Sequence, residues 1–158
     1  MAISYHVGSR KKLFAQLVQQ VYAGVGHEPP DGTPVEKVSF LLERYCRTVI
    51  THPNLAKCIF SDMSLLSNQL VSLTKLVGDN LILCGLARAD VDTLVGIVVD
   101  YTHGFSFSAA AYAPADSEWS GGIKAQTMND FRRGLSWILE RISAGESTQK
   151  KRESRSSP

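Results

Sequence analysis

Apolar residues recur along this chain every three or four positions, which is the spacing of one face of an α-helix. The first run has a stripe at spacing four with two further apolar residues beside it: Leu13, Leu17, Val21 and Val25, with Phe14 and Val18. Ser9 precedes the run and suits an N-cap, so we expect a first helix that starts after Ser9 and runs to about Val25. The segment GHEPPDG follows and should end it, because two prolines cannot continue a helix.

The next two helices are marked by their start and stop signals. Thr33 suits a cap, Pro34 suits the first helical position, and Glu36 stands where a capping box needs it. This second helix should end before His52-Pro53, and a short third helix should run from about Pro53 to Phe60.

Three longer helices complete the pattern. Asp62 is expected to cap a fourth helix, which Gly85 ends. Its apolar seam is narrow and contains Leu66, Leu70, Leu73, Val77, Leu81 and Cys84. Asp90 should cap a fifth helix reaching Tyr112, and a sixth should span about 127–143 after a loop. No stretch alternates as a strand does, so the predicted fold class is all-α, a helical bundle of about six helices.

The bulk composition is typical of a soluble globular domain. The chain has 158 residues, of which 44% are hydrophobic and 20% charged, and its formal net charge is +2. This length fits one domain, and the balanced charge does not by itself indicate nucleic acid. The final segment, QKKRESRSSP, is basic and has no apolar side chain, so we expect 146–158 to be a disordered basic tail.

The sequence also predicts the compartment. No stretch is apolar enough over 18–20 residues to span a membrane, and the first residues lack the layout of a secretory signal. Cys46, Cys58 and Cys84 are odd in number and lie in apolar surroundings, which favours buried thiols over a disulfide framework. We therefore expect a cytoplasmic protein without membrane contact.

Catalytic signatures are missing from the sequence. There is no Gly-rich phosphate loop, and His6, His27, His52 and His103 lack metal-site spacing. We predict no enzyme, no cofactor and no metal. His103 lies in the aromatic-rich segment DYTHGFSF, where it is either a partly buried helix residue or a polar group that lines a cavity.

The segment AISYHVGSRKKLFAQLVQQV resembles the end of the DNA-binding unit in the tetracycline-repressor (TetR) family of transcriptional regulators. There the recognition helix and the following helix read like xLYxHFxSKxxLxxxxxxxV. The residues in register are Ile3, Tyr5, His6, Gly8, Ser9, Arg10 and Leu13, with Val7 at the Phe position. The order of the later helices is also similar to that family's C-terminal regulatory domain, so the resemblance covers about residues 2–145.

The resemblance implies a DNA-contacting role for Tyr5, His6 and Arg10, which would touch operator phosphates. Residues 1–9 would be the remnant of a recognition helix and its turn, and 10–145 the effector-binding and dimerisation domain. Family members place two more helices before this motif, so operator binding should be weak or absent in the chain as given. Either Met1 is an internal methionine of a longer protein, which we favour, or the regulator is truncated.

The resemblance further implies a homodimer in which the last two long helices form a four-helix bundle with their copies. The interface residues predicted on those helices are Val98, Ala109, Tyr112, Phe131, Leu135 and Ile138. A small hydrophobic or aromatic effector would bind among the central helices. The candidate pocket residues are Tyr45, Cys46, Val49, Phe60, Met63, Leu66, Leu70, Tyr101, His103 and Phe105. All of these positions also suit ordinary core packing within one chain.

Two functions from different classes follow. The first is a ligand-responsive transcriptional regulator of the TetR type, in which an effector shifts the position of the first helix and hence of the DNA-reading end. The second is a stand-alone helical dimerisation or interaction module, without catalysis, that modulates full-length relatives.

Overall fold

Six α-helices and one short 3₁₀ helix build the part of the chain that the structure describes. The computed structural model describes residues 10–112 and 123–153, with side chains described as far as Arg141. The helices are α1 (Arg10–Val21), α2 (Pro34–Thr51), α3 (Pro53–Ser61), the 3₁₀ helix (Met63–Leu65), α4 (Asn68–Leu83), α5 (Arg88–Ala111) and α6 (Ala125–Glu153). Within these ranges no strand is present, so the prediction of an all-α bundle of about six helices is confirmed.

Helix α1 is shorter than predicted and buries a different face. It ends at Val21 rather than near Val25, while Leu13 and Leu17 of the predicted stripe are exposed. Val18 and Val25 of the predicted set are buried, together with Tyr22, and the chain leaves the helix in a turn closed by the Val25 amide, which donates to the Tyr22 carbonyl. The predicted Leu17 lies one position before the buried Val18. Because one residue rotates a helix by about 100°, Leu17 faces away from the core.

Helix α2 is the central helix and begins as predicted. The Thr33 hydroxyl accepts a hydrogen bond from the Glu36 amide, and the Glu36 carboxylate accepts one from the Thr33 amide at 2.8 Å. This capping box fixes the start of the helix. Further along α2, Arg44 donates to the carbonyl of Val25 at 2.7 Å and so holds the turn after α1. The helix contacts α3, α4, α5 and α6.

The predicted role of Asp62 is wrong. Its carboxylate accepts from the Ser64 amide at 3.0 Å and from the Ser64 hydroxyl, which caps the 3₁₀ helix instead of α4. Leu66 then adopts an extended conformation, and α4 starts only at Asn68. A polar side chain that bonds two residues ahead favours a local turn over a long helix. Leu66 consequently leaves the seam of α4.

The remaining boundaries are partly as expected. Gly85 follows α4 with φ of 103°, a left-handed conformation that glycine adopts without strain. Helix α5 starts at Arg88, so Asp90 lies in its first turn, and the prediction that Asp90 caps the helix is wrong. The negative charge of Asp90 still stabilises the helix, because it lies near the positive N-terminal end of the helix dipole.

Helix α6 extends beyond its predicted end. It begins at Ala125 and continues to Glu153, so 146–153 are helical where we predicted a disordered tail. The strong helix formers from Gln149 to Glu153 account for this extension. Of the loop predicted at 113–126, residues 113–122 lie outside the described residues, as do the last five residues of the chain, and 125–126 already belong to α6. Among the described helices, none combines the length and apolar content that crossing a bilayer requires.

Candidate ligand-binding cavity

A cavity of about 220 Å³ lies among helices α2, α3, α4 and α5. Its walls are almost wholly apolar. The lining residues are Tyr45, Ala56, Ile59, Phe60, Met63, Leu66, Leu70, Val71, Leu73, Thr74, Val99 and His103. Phe60, Met63, Leu66 and Val71 are exposed, so they form an apolar mouth through which a ligand can enter. An apolar cavity with few polar groups is the usual form of a small-molecule site.

Six of the ten predicted pocket residues line this cavity: Tyr45, Phe60, Met63, Leu66, Leu70 and His103. The other four do not. Cys46 and Val49 are fully buried in the core, and the rings of Tyr101 and Phe105 pack on Phe131 of α6.

The division on α5 follows from helix geometry. Val99 and His103 are four residues apart and share the face that lines the cavity, whereas Tyr101 and Phe105 share the face that packs on α6. The prediction missed the other six lining residues: Ala56, Ile59, Val71, Leu73, Thr74 and Val99. Apolar spacing was the available signal for all of these but Thr74, and it does not distinguish a cavity wall from solid core.

One polar pair interrupts the apolar wall. The Tyr45 hydroxyl lies 2.7 Å from Nε2 of His103. Burial lowers the pKa of His103 below its usual 6.5, although the carboxylate of Asp100 partly opposes this, and burial raises the pKa of Tyr45. His103 is therefore neutral at pH 7, and its tautomer sets the direction of the bond: an unprotonated Nε2 accepts from the Tyr45 hydroxyl, whereas a protonated Nε2 donates to the Tyr45 oxygen. The ring of Phe60 meets His103 edge-on at a centroid distance of 4.7 Å.

Lowering the pH from 7.5 to 5.5 is expected to reduce the free energy of unfolding. The unfolded state has the ordinary histidine pKa and takes up a proton more readily than folded His103, so the stabilisation present above pH 6.5 is lost as the pH falls below it. Urea unfolding at the two pH values measures this. His103→Phe should reduce this pH dependence of the free energy of unfolding. His52→Gln, a substitution at an exposed position, is the control and should leave the pH dependence unchanged. Equal pH dependence in all three proteins would contradict the assignment.

Of the three predicted DNA-contact residues, Arg10 is the one that the structure describes, at the start of α1. Tyr5 and His6 fall outside the described residues. Arg10 is exposed, and its guanidinium lies over the ring of Phe14 at 5.6 Å. Next to it, Nζ of Lys11 pairs with the Asp62 carboxylate at 3.1 Å. These side chains border an open groove between α1 and the segment from Lys57 to Leu65.

Three of the predicted dimer-interface residues need correction. Val98, Phe131 and Leu135 are buried within the single chain, because α5 and α6 pack these faces on the core. Their side chains are therefore not available to a second copy in this conformation. Ala109 and Ile138 are half-buried, and Tyr112 is 86% exposed.

The described residues also show where the titratable side chains stand. No group of three or more His, Cys, Asp or Glu side chains comes together at metal-binding distances within the described part of the chain. Burial raises the pKa of the Cys46 thiol to about 11, although a hydrogen bond from the Ser106 hydroxyl opposes the shift. A thiol in this state is a poor nucleophile at neutral pH.

Comparison with known proteins adds no relative to this picture. No protein-family model, curated protein or solved structure matches the chain. The TetR family therefore stays a prediction from the N-terminal motif, and the cavity is the feature on which a functional argument must rest.

Proposed function

We propose that this chain is the effector-binding and dimerisation part of a ligand-responsive transcriptional regulator of the TetR type. The observation that carries the proposal is the apolar cavity among α2, α3, α4 and α5, which has an open apolar mouth and one polar pair. A core built only for stability would be expected to fill such a space, since interiors are close-packed. A retained cavity of this kind suits a small hydrophobic or aromatic effector.

A physical route leads from the cavity to α1. Met63 and Leu66 line the cavity, while Asp62 and Leu65, from the same short segment, border the groove against α1. Lys11 ties α1 to this segment through Asp62. A ligand that displaces Met63 and Leu66 would therefore shift α1, whose first residues carry the predicted phosphate contact Arg10. Such a ligand favours one of two arrangements, which is a population shift.

The homodimer is supported by apolar side chains left exposed on the last two helices. Ile97 on α5 and Trp137 on α6 are 46% and 60% exposed. Large exposed apolar groups favour contact with another protein. The same two residues support the second candidate, a stand-alone dimerisation or interaction module. The two candidates differ in whether a ligand bound in the cavity changes α1.

Calorimetric titration with indole, a neutral ring compound, tests binding in the cavity. We expect one indole per chain. Ala56→Leu adds bulk to the cavity wall and should weaken binding about tenfold or more. Ala89→Leu is the matched control, since Ala89 is exposed at the start of α5. Unchanged affinity in Ala56→Leu would place the bound indole elsewhere and contradict the proposal.

Amide hydrogen exchange tests the regulatory part. Indole should change the exchange of 10–21 and of 62–66 in the wild-type chain and in Ala89→Leu, and the change should be much smaller in Ala56→Leu at the same concentration. A change confined to α2, α4 and α5 would remove the support for the regulator and favour the interaction module.

A further inference from the structure

The size of the cavity limits its ligand. Its volume of about 220 Å³ exceeds the roughly 150 Å³ of an engineered apolar cavity that holds benzene. It is smaller than the roughly 300–1,000 Å³ of sites for drug-sized molecules. One substituted ring, or two fused rings, is therefore the largest rigid ligand that fits without enlarging the site.

The charge of the lining limits the ligand further. The twelve described residues that line the cavity include no Asp, Glu, Lys or Arg. A carboxylate or an ammonium group would lose its hydration there without gaining an ionic partner, which is costly. The ligand that this wall fits is uncharged.

The polar pair gives the ligand one hydrogen-bonding position. In either tautomer of His103 the Tyr45 oxygen, which has two lone pairs, keeps at least one that can accept a further hydrogen bond. Thr74, also in the wall, donates its hydroxyl proton to the Val71 carbonyl at 2.9 Å within its own helix, but Thr74 is exposed, so the Tyr45 oxygen is the buried acceptor. The His103 ring lies 5.4 Å from the ring of Tyr45 and 4.7 Å from that of Phe60, centroid to centroid, and the three rings offer edges and faces to an aromatic ligand.

Building on the proposed function, we infer that the effector is an uncharged aromatic molecule of one or two rings, whose single hydroxyl group hydrogen-bonds to the Tyr45–His103 pair. The hydroxyl donates to the Tyr45 oxygen, and the ring lies between Phe60 and the aliphatic wall of α4 and α5. The pair thereby makes the site selective for phenol-like molecules over hydrocarbons of the same shape.

Four probes of similar size test this inference by calorimetry: para-cresol, toluene, benzoate and benzylammonium. Para-cresol should bind about three- to tenfold more tightly than toluene, because one hydrogen bond is gained. Benzoate and benzylammonium should bind at least about tenfold more weakly than para-cresol, because a charge is desolvated.

A pair of variants assigns the preference to the two side chains. In Tyr45→Phe/His103→Phe, toluene should bind as well as para-cresol or better, because the ligand hydroxyl is then buried without a partner. Tyr22→Phe is the control. The Tyr22 ring lies 6.1 Å from that of Tyr45, and its buried hydroxyl has no hydrogen-bond partner among the described residues. This control should keep the wild-type preference, and circular dichroism checks that both variants are folded.

The outcomes separate this inference from the function on which it rests. If wild-type protein binds toluene as tightly as para-cresol, or binds a charged probe as tightly, the inference is overturned while the cavity remains a binding site. If none of the four probes binds, the proposed effector-binding function is overturned with it. The wild-type comparison decides this even if the double variant does not fold.

Discussion

Replacing Phe131 with alanine is expected to lower the free energy of unfolding by about 3–5 kcal/mol. Phe131 is fully buried on α6. Its ring stacks on Tyr101 at a centroid distance of 5.5 Å and meets Phe105 edge-on at 5.4 Å. The substitution removes the ring that joins α6 to α5 and leaves a void between them. Since domains of this size are stable by only about 5–15 kcal/mol, the loss is a large share of the total.

Urea unfolding followed by circular dichroism measures the loss. Trp137→Ala is the matched control, because it removes another large aromatic side chain from the same helix, but one that is 60% exposed. Its cation–π contact with Arg141, at 5.4 Å, is worth about 1 kcal/mol or less. Equal losses in the two variants would contradict the packing of α6 on α5.

Gly26→Ala is expected to destabilise the chain by about 1–3 kcal/mol or more, even though it adds only one methyl group. A Cβ atom on Gly26 would overlap the backbone carbonyl oxygen of Gln69 and would lie 3.0 Å from the Cβ of Ser72. Because the obstacle is the backbone at the start of α4, the turn after α1 must move away from α4 to admit the methyl group.

Gly24→Ala provides the matched control two residues away. A Cβ there meets no atom within 4 Å, so the variant should be neutral or slightly stabilising, through a more restricted unfolded chain. Thermal unfolding of both variants makes the comparison. A Gly26→Ala protein as stable as Gly24→Ala would show that the turn does not pack on α4 as described.

The helices were predictable where one strong local signal fixed them. The Thr33 capping box gave the start of α2, and Gly85 gave the end of α4 with its left-handed conformation. Asp62 shows the limit of such signals, because the same carboxylate suits either a long helix or a short turn. The choice between them depends on tertiary packing, which spacing along one segment does not contain.

The candidate site was predictable only in part, for a geometric reason. Apolar spacing places Tyr101, His103 and Phe105 on one helix, but a rotation of about 100° per residue decides which of them faces a cavity. His103 lines the cavity and the other two pack on Phe131. Val99, one of the residues that the prediction missed, is an ordinary apolar position in the sequence, and only the arrangement of four helices makes it part of the cavity wall.

The central claim is that a small ring-shaped ligand binds in the cavity among α2, α3, α4 and α5. The most direct test is a methyl nuclear magnetic resonance titration of the protein, labelled at Leu and Val methyl groups, with indole. We expect saturable shifts at Leu70, Leu73 and Val99, which line the cavity, and little change at Leu83, which is 70% exposed at the end of α4. If Leu70, Leu73 and Val99 show no shift at saturating indole, the claim that the ligand binds in this cavity is contradicted.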